Sequence, residues 1–439
     1  MRRKFHSEGS AGNVLRGDVD EEKIRAINFN ALSLDSTFFN IGSAFLDPGT
    51  VVPSFVSLLT SSPVLIGLTT TIRNCGWFLP QLLVAHRVEA LPHKKPVVVW
   101  AGGLLRLAAG VMAFSTLLAA NNPILALTLF YLSFVVLSFC DGISGVPWID
   151  IFAKSIPAER RGRYYAVTQF FGGSFAFAAG FLIKKLLDSK NLVFPYNYFV
   201  IFFLGFLLVS MSYLSFLMVR EKNSETSPQR VDLWNFLKNV PAVFKADGAL
   251  KRLVFVNVLF RCFFLPLPFY VVFAREKLGL AADSVGFFVS AQMLGYVISG
   301  VILGRINDTL GSKPVILITG FATMISPLLA LTSYRLYLNG YPFIFLYTVI
   351  FALLGLTYSG SWIGIFNFLL KMAPEEKRPL YIGLLNTATA PMTFLPVVGG
   401  FIIQKLNYTL LFLITSILVL NGLLLAVTLK EPGIHKKIE

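Results

Sequence analysis

Two charged segments of this chain recur half a protein apart, each set between long apolar runs. His86-Arg87-Val88-Glu89 through Lys95-Pro96 to Gly102 aligns with Gly304-Arg305-Ile306-Asn307-Asp308 through Lys313-Pro314 to Gly320, a shift of 218 residues. Pro157-Ala158-Glu159-Arg160-Arg161 with Tyr164 aligns with Pro374-Glu375-Glu376-Lys377-Arg378 with Tyr381 at a shift of 217. A unit read twice folds as two like halves, and the runs around these landmarks are apolar enough to span a bilayer. Hydrophobic residues make up 55% of the chain and charged ones 14%, which no soluble domain matches.

Cutting the apolar runs at polar and Pro/Gly-rich breaks predicts twelve spans, at roughly 28–59, 63–86, 96–119, 123–152, 163–186, 196–219, 250–274, 284–306, 314–332, 342–371, 380–404 and 407–429. The expected class is an all-α membrane protein of two pseudo-symmetric six-helix bundles. Its parts would be a leader over 1–27, bundles over 28–219 and 250–429, a central loop over 220–249 and a tail over 430–439. Placing both termini on one side gathers 28 Lys and Arg there and leaves 7 opposite, so both termini are expected to be cytoplasmic, in a plasma or inner membrane. Val231, Trp234, Leu237 and Val240 predict a short amphipathic helix in the central loop.

The net charge of +15 sits between spans, where the sidedness rule puts it, and a nucleic-acid partner is not expected. Cys75, Cys140 and Cys262 lie singly in apolar runs, and His6, His86, His93 and His435 lie in termini or polar loops. No disulfide framework, metal site or cofactor is expected, and the chain reads as a monomer.

The loop Gly304-x-x-x-Asp308-x-x-Gly311-x-Lys313, between the eighth and ninth spans, resembles the signature loop of the major facilitator superfamily. Twelve spans, cytoplasmic termini, a long central loop and the half-chain repeat fit the same family over about 28–429. The first-half copy departs from the pattern, with His86, Ala90 and His93 in place of glycine, aspartate and glycine, and Glu89 carrying the nearby carboxylate. Physically, Asp308 could sit at the positive end of the helix starting near Pro379 and pair with Arg378, shutting the cytoplasmic side; the alternative is a solvated turn. Arg160, Arg161 and Arg163 could act likewise with Glu89 or Asp150, or simply obey the sidedness rule.

A charge at bilayer depth costs at least ~2.5–3.5 kcal/mol, so each one is expected to face a cavity or a partner. The candidates are Asp35, Asp47, Arg73, Arg106, Asp141 and Arg261. Depth counted along the spans predicts the pairs Arg106–Asp141 and Asp47–Arg73, and leaves Asp35 near the interface. Ser36, Asn40, Ser43 and Asp47 share one face of span one, and Ser138, Asp141, Ser144 and Trp148 one face of span four. In the resembling family the first helix of each three-helix repeat lines the path, which implies a cavity polar on this wall. The other wall would hold Arg261, a Phe/Pro-rich run over 263–270, Gln292, Tyr296, Tyr358 and Trp362.

The resemblance implies a transporter rather than an enzyme. The expected function is secondary active transport by alternating access, coupled to protons through Asp47 or Asp141, with a small amphipathic organic solute as substrate. Pro396-Val397-Val398-Gly399-Gly400, an echo of an antiporter pattern, favours export. The alternative of the same fold is a flippase for a lipid or lipid-linked substrate. An intramembrane enzyme would need convergent His, Ser or paired acids, which the spans lack.

Overall fold

The computed structural model describes residues 8–89, 91–221, 244, 247–374 and 378–432, without the side chains of 8–21, 82–90, 158, 379 and 380. The expected central-loop helix and the side chain of Glu89 therefore lie outside the described residues.

Twelve helical segments stand where the apolar runs placed spans. They are α1 (Glu8–Phe45, resuming over Val51–Leu59), α2 (Pro63–Glu89), α3 (Lys95–Ser115, closing in a tighter turn to Ala120), α4 (Pro123–Ser155), α5 (Ala158–Leu187) and α6 (Tyr196–Leu217). The second half holds α7 (Gly248–Phe260, resuming over Phe269–Glu276), α8 (Ser284–Leu310), α9 (Ser312–Leu338), α10 (Ile344–Gly360, then a wide turn and Asn367–Met372), α11 (Arg378–Thr389, then Leu395–Lys405) and α12 (Tyr408–Val427). Among the described residues ten helices are long and apolar enough to cross a membrane. The other two, α1 and α2, are the ones into which Asp35, Asn40, Asp47, Arg73 and Asn74 are set. This is an integral membrane protein.

The neighbours repeat six helices on. In the first half α1 packs on α5 and α6, α2 on α4, and α3 on α4 and α6; in the second α7 packs on α11 and α12, α8 on α10, and α9 on α10 and α12. The halves meet through α2 with α11 and α5 with α8, an exchange that the same pseudo-twofold relation requires.

Glycines set the closest crossings, because backbone approaches there leave no room for a Cβ. A Cβ on Gly142 of α4 would strike the carbonyl of Gly76 on α2, and one on Gly355 of α10 would strike the carbonyl of Gln292 on α8. Between the halves, Gly180 of α5 and Gly286 of α8 oppose each other in the same way. Helices that must pack without a hydrophobic driving force gain dispersion contacts from such approaches.

Candidate functional site

The sixfold set of membrane charges falls into three hydrogen-bonded groups and one isolated cation. The glycine crossing of α2 and α4 decides the first group. Arg73 lies one turn from Gly76 and Asp141 beside Gly142, so the Arg73 guanidinium reaches the Asp141 carboxylate at 2.6 Å. This corrects both sequence-based pairs: Asp141 belongs to Arg73, and Arg106 and Asp47 are held elsewhere. Counting depth along single helices could not show which helix faces turn toward each other.

Arg106 is on the α6 face of α3, the face that carries Gly102 one turn earlier against the Tyr213 ring. Its Nε donates to the Val209 carbonyl at 2.9 Å, one terminal nitrogen to Ser212 Oγ at 3.2 Å, and the guanidinium covers Tyr213 at 5.0 Å. Ser212 donates onward to Asp35 at 2.6 Å, and Trp148 Nε1 donates to the other Asp35 oxygen at 2.8 Å. Asp35 is therefore a buried member of a four-helix network, with 7% of its surface exposed, and not an interfacial residue. A carboxylate accepting two such bonds ties α1 to α4 and α6.

Asp47 ends the first part of α1. Its Oδ1 accepts from the Gly49 N–H at 2.9 Å and the Thr50 hydroxyl at 2.8 Å, a local turn that lets the chain break at Pro48 and restart. Its Oδ2 accepts from Gln292 Nε2 of α8 at 3.1 Å. The Asp47–Gln292 bond therefore crosses between the halves.

Arg261 stands at the break in α7. It makes no hydrogen bond or ion pair with a described residue; its guanidinium lies over Phe78 at 5.9 Å and Phe264 at 5.6 Å. The recess beside it is closed by Asn386, Thr389, Ala390 and Thr393 of α11. Tyr358 packs edge-on against Phe263 at 5.6 Å and lies in electrostatic range of both Asp47 and Arg261. Asn40 is exposed beside Gly172 of α5, and Trp362 is exposed with its ring on Phe366. Neither bonds to the charged groups.

Among the described residues, bonds between the halves cluster toward the end opposite the termini. Arg275 of α7 donates to Ser57 Oγ and to the Ser54 carbonyl, each at 3.1 Å, and Lys184 pairs with Asp283 at 3.4 Å. Ser290 donates to the Phe177 carbonyl at 2.9 Å. Farther from that end Cys75 bonds with Thr393 at 3.4 Å and the Arg261 guanidinium lies over Phe78. At the terminus-bearing end the second half alone lines a cavity of about 390 Å³, with Asn307, Asn367, Leu370, Lys371 and Arg378.

At that same end Asp308 is exposed, with Asn307 its hydrogen-bond partner at 3.4 Å, and no ion pair joins it to Arg378. Arg161 donates to the carbonyls of Ile156 and Ala153, and Asp150 is held by Lys94 and Lys154 rather than by the arginine cluster. Gly311 has φ +94°, a left-handed conformation that any side chain would strain, with the Glu431 carboxylate against its Cα. Two carboxylates absent from the sequence-based candidates do the work here. Glu431 accepts from the Ser312 and Lys313 N–H groups at the start of α9, both at 2.7 Å. Glu221 accepts from the Lys94 and Lys95 N–H groups at the start of α3 at 2.8 Å each. The signal available was a basic-acidic pair, Arg220-Glu221 and Lys430-Glu431, directly after the sixth and twelfth apolar runs.

Comparison with known proteins reaches the same frame. Residues 253–439 match the Major Facilitator Superfamily model. A bacterial homologue of the iron transporter ferroportin, solved in an inward-facing state, is 17% identical, with a TM-score of 0.69 over 93% of this chain and 98% of that one. A D-xylose–proton symporter is 12% identical, with a TM-score of 0.67 over 92% and 97%. A POT family transporter in complex with 5-aminolevulinic acid is 10% identical, with a TM-score of 0.66 over 91% and 95%. At such identities the likeness is one of fold. No curated protein matches the sequence.

Proposed function

We propose that this chain is a Major Facilitator Superfamily protein and a secondary active transporter working by alternating access, from its match to that family's model over residues 253–439 and the fold it shares with solved transporters. The halves 28–219 and 250–429 rock about a mid-membrane site and carry a small amphipathic organic solute, with both termini cytoplasmic. The observation that carries the reading is the one-sided distribution of bonds between halves among the described residues. Arg275–Ser54, Lys184–Asp283 and Asp47–Gln292 join the halves toward the outer end, and no hydrogen bond or ion pair among the described residues joins them at the terminus-bearing end. In this reading the chain stands inward-facing, and an Asp308–Arg378 latch forms when the inner end shuts.

Asp47 is the coupling carboxylate of this proposal. Asp141 has a guanidinium partner in its own half, whereas Asp47 has no cation and spends one oxygen on a bond across the outer closure. Gaining a proton removes that acceptor and loosens the closure; losing it restores the bond. Conformation and proton then share one switch.

The test needs no substrate. Spin labels replacing the exposed pair Lys190 and Lys277 report the outer end, and labels replacing Arg160 and Leu310 the inner end. Between pH 5 and 8 the two distances should shift in opposite senses, and Asp47→Asn should remove the pH dependence. Distances that move together, or stay fixed across conditions, would sink the alternating-access reading.

A further inference from the structure

Among the described residues, Arg261 is the one intramembrane charge whose compensation is missing. Arg73 has Asp141, Arg106 reaches Asp35 through Ser212, and Asp47 has three donors. Arg261 has two aromatic faces, a buried Nε without an acceptor, and no acidic partner among the described residues. A guanidinium stays ionised in proteins. At this depth a charge is costly, and the ring faces return only part of that cost. Ring faces leave the N–H donors unmet, and an unmet charged donor adds to the penalty. The site lacks an anion.

The surroundings say what kind. The recess beside Arg261 is lined on α11 by Asn386, whose amide is a neutral donor suited to a single additional charge, and by Thr389 and Thr393, whose hydroxyls donate to the carbonyls of Leu385 and Ala390. The remaining walls are Phe78, Phe264 and Ala390, with Phe263 and Tyr358 behind. Asp47 does not fill the role, since both its oxygens already accept bonds. We propose that the transported solute carries a carboxylate on an apolar or aromatic body, and that Arg261, with Asn386 of α11, binds the carboxylate. This names the substrate class of the site and so rests on the transporter reading. It also gives the break in α7 a purpose: the turn over Arg261–Phe264 presents the arginine to the path, and the bound anion links α7 to α11 and, through Phe78, to the opposite half.

Thermal unfolding of the purified full-length protein tests it, with benzoate as the probe and benzamide and inorganic phosphate as controls. Benzoate should raise the midpoint saturably at millimolar concentration, and benzamide and phosphate should not. Arg261→Gln should abolish the shift. Asn386→Leu, which keeps the arginine, should weaken the apparent affinity about tenfold, and it decides the matter should Arg261→Gln fail to fold. Three results would overturn the assignment: no benzoate shift, an equal shift with benzamide or phosphate, or a benzoate shift unchanged in Asn386→Leu or in folded Arg261→Gln. The spin-label distances read the transporter proposal independently. Opposed distance changes without a benzoate effect would remove the carboxylate and leave alternating access standing.

Discussion

The two halves agree at their ends and differ in their middles. At the terminus-bearing end Glu221 caps α3 and Glu431 caps α9 through the same pair of backbone N–H groups. Lys95 Nζ reaches back to the Leu217 and Val219 carbonyls as Lys313 Nζ does to Val427. Mid-membrane the likeness stops. The first half holds its charges in bonded groups, Arg73 with Asp141 and Arg106 with Ser212 and Asp35, while the second has one unpaired arginine among phenylalanines. The repeated features are what any six-helix unit needs to hold its shape, and the unrepeated ones are where two walls of a path can recognise different parts of one solute.

The comparison is broken most severely at the glycine crossings. Gly142→Val and Gly355→Val should each cost about 3 kcal/mol or more, at or above the top of the usual overpacking range, because the obstructing atoms are backbone carbonyls that cannot rotate away. Folded yield on size-exclusion chromatography in detergent reads the effect. If one half tolerates the valine and the other does not, the halves are less alike than their neighbours imply.

The next largest effect separates the middles. Asp141→Asn leaves the Arg73 guanidinium, one of whose nitrogens is already buried without a partner, short of its carboxylate. Removing one member of a buried pair costs about 3–5 kcal/mol; with 23% and 10% of the two side chains exposed, about 2–3 is expected. Arg261→Gln should by contrast leave the ligand-free melting midpoint unchanged or raise it, since it removes a charge without a partner. Equal losses in the two variants would mean that Arg261 has a compensation equivalent to Asp141.

Smaller again are the helix caps. Glu221→Gln and Glu431→Gln each remove a charge from a helix N-terminus while keeping an acceptor, for about 1 kcal/mol apiece. Thermal melts of the two should agree within a few tenths. A clear inequality would show that the common end has been adapted in one half, with Gly311 and its positive φ the first place to look.

The frame was legible because lipid demands it. Runs of twenty apolar residues, Lys and Arg sidedness and a repeated loop are one-dimensional signals, and they located the helices to within several residues at most ends. The Asp47-Pro48-Gly49 break was legible for the same reason, since proline and glycine act locally. Partner choice was not. Arg73 and Asp141 meet because Gly76 and Gly142 let α2 and α4 touch, and Arg106 turns away because Gly102 seats α3 on α6; rotation about a helix axis leaves no mark in a count of depth. Asp35 was misplaced for a related reason, since α1 continues well beyond the apolar run that was used to measure how far in it lay. The glutamate caps left only the repeated pairs Arg220-Glu221 and Lys430-Glu431 as a signal, and a pair after an apolar run does not by itself say that the Glu folds back onto a helix start.

The smallest expected effect returns to the ends. Tyr164 and Tyr381, equivalent in the repeat, each tie the fifth helix of a half to its first, but Tyr164 meets the Ser36 hydroxyl at 2.5 Å and Tyr381 the Asp247 carboxylate at 2.7 Å. Asp247 also caps α7. Burial pushes its carboxyl up, and the N–H of Leu250, the Tyr381 hydroxyl and the N–H of Ala249 together pull it further down, to a net position below the ordinary range. A depressed folded value means that the stabilisation is fully present above the unfolded pKa, near 3.9, and is lost as pH falls through the folded one. Asp247→Ala should therefore cost about 1 kcal/mol at neutral pH, the usual value of an N-cap, and the gap to the unmodified protein should narrow below about pH 4. Tyr164→Phe, which deletes a tie between neutral groups, should show a gap that does not change over the same range. A pH-dependent gap in both variants would give the first half a titrating partner at this tie and erase the one acid-sensitive difference between the two ends.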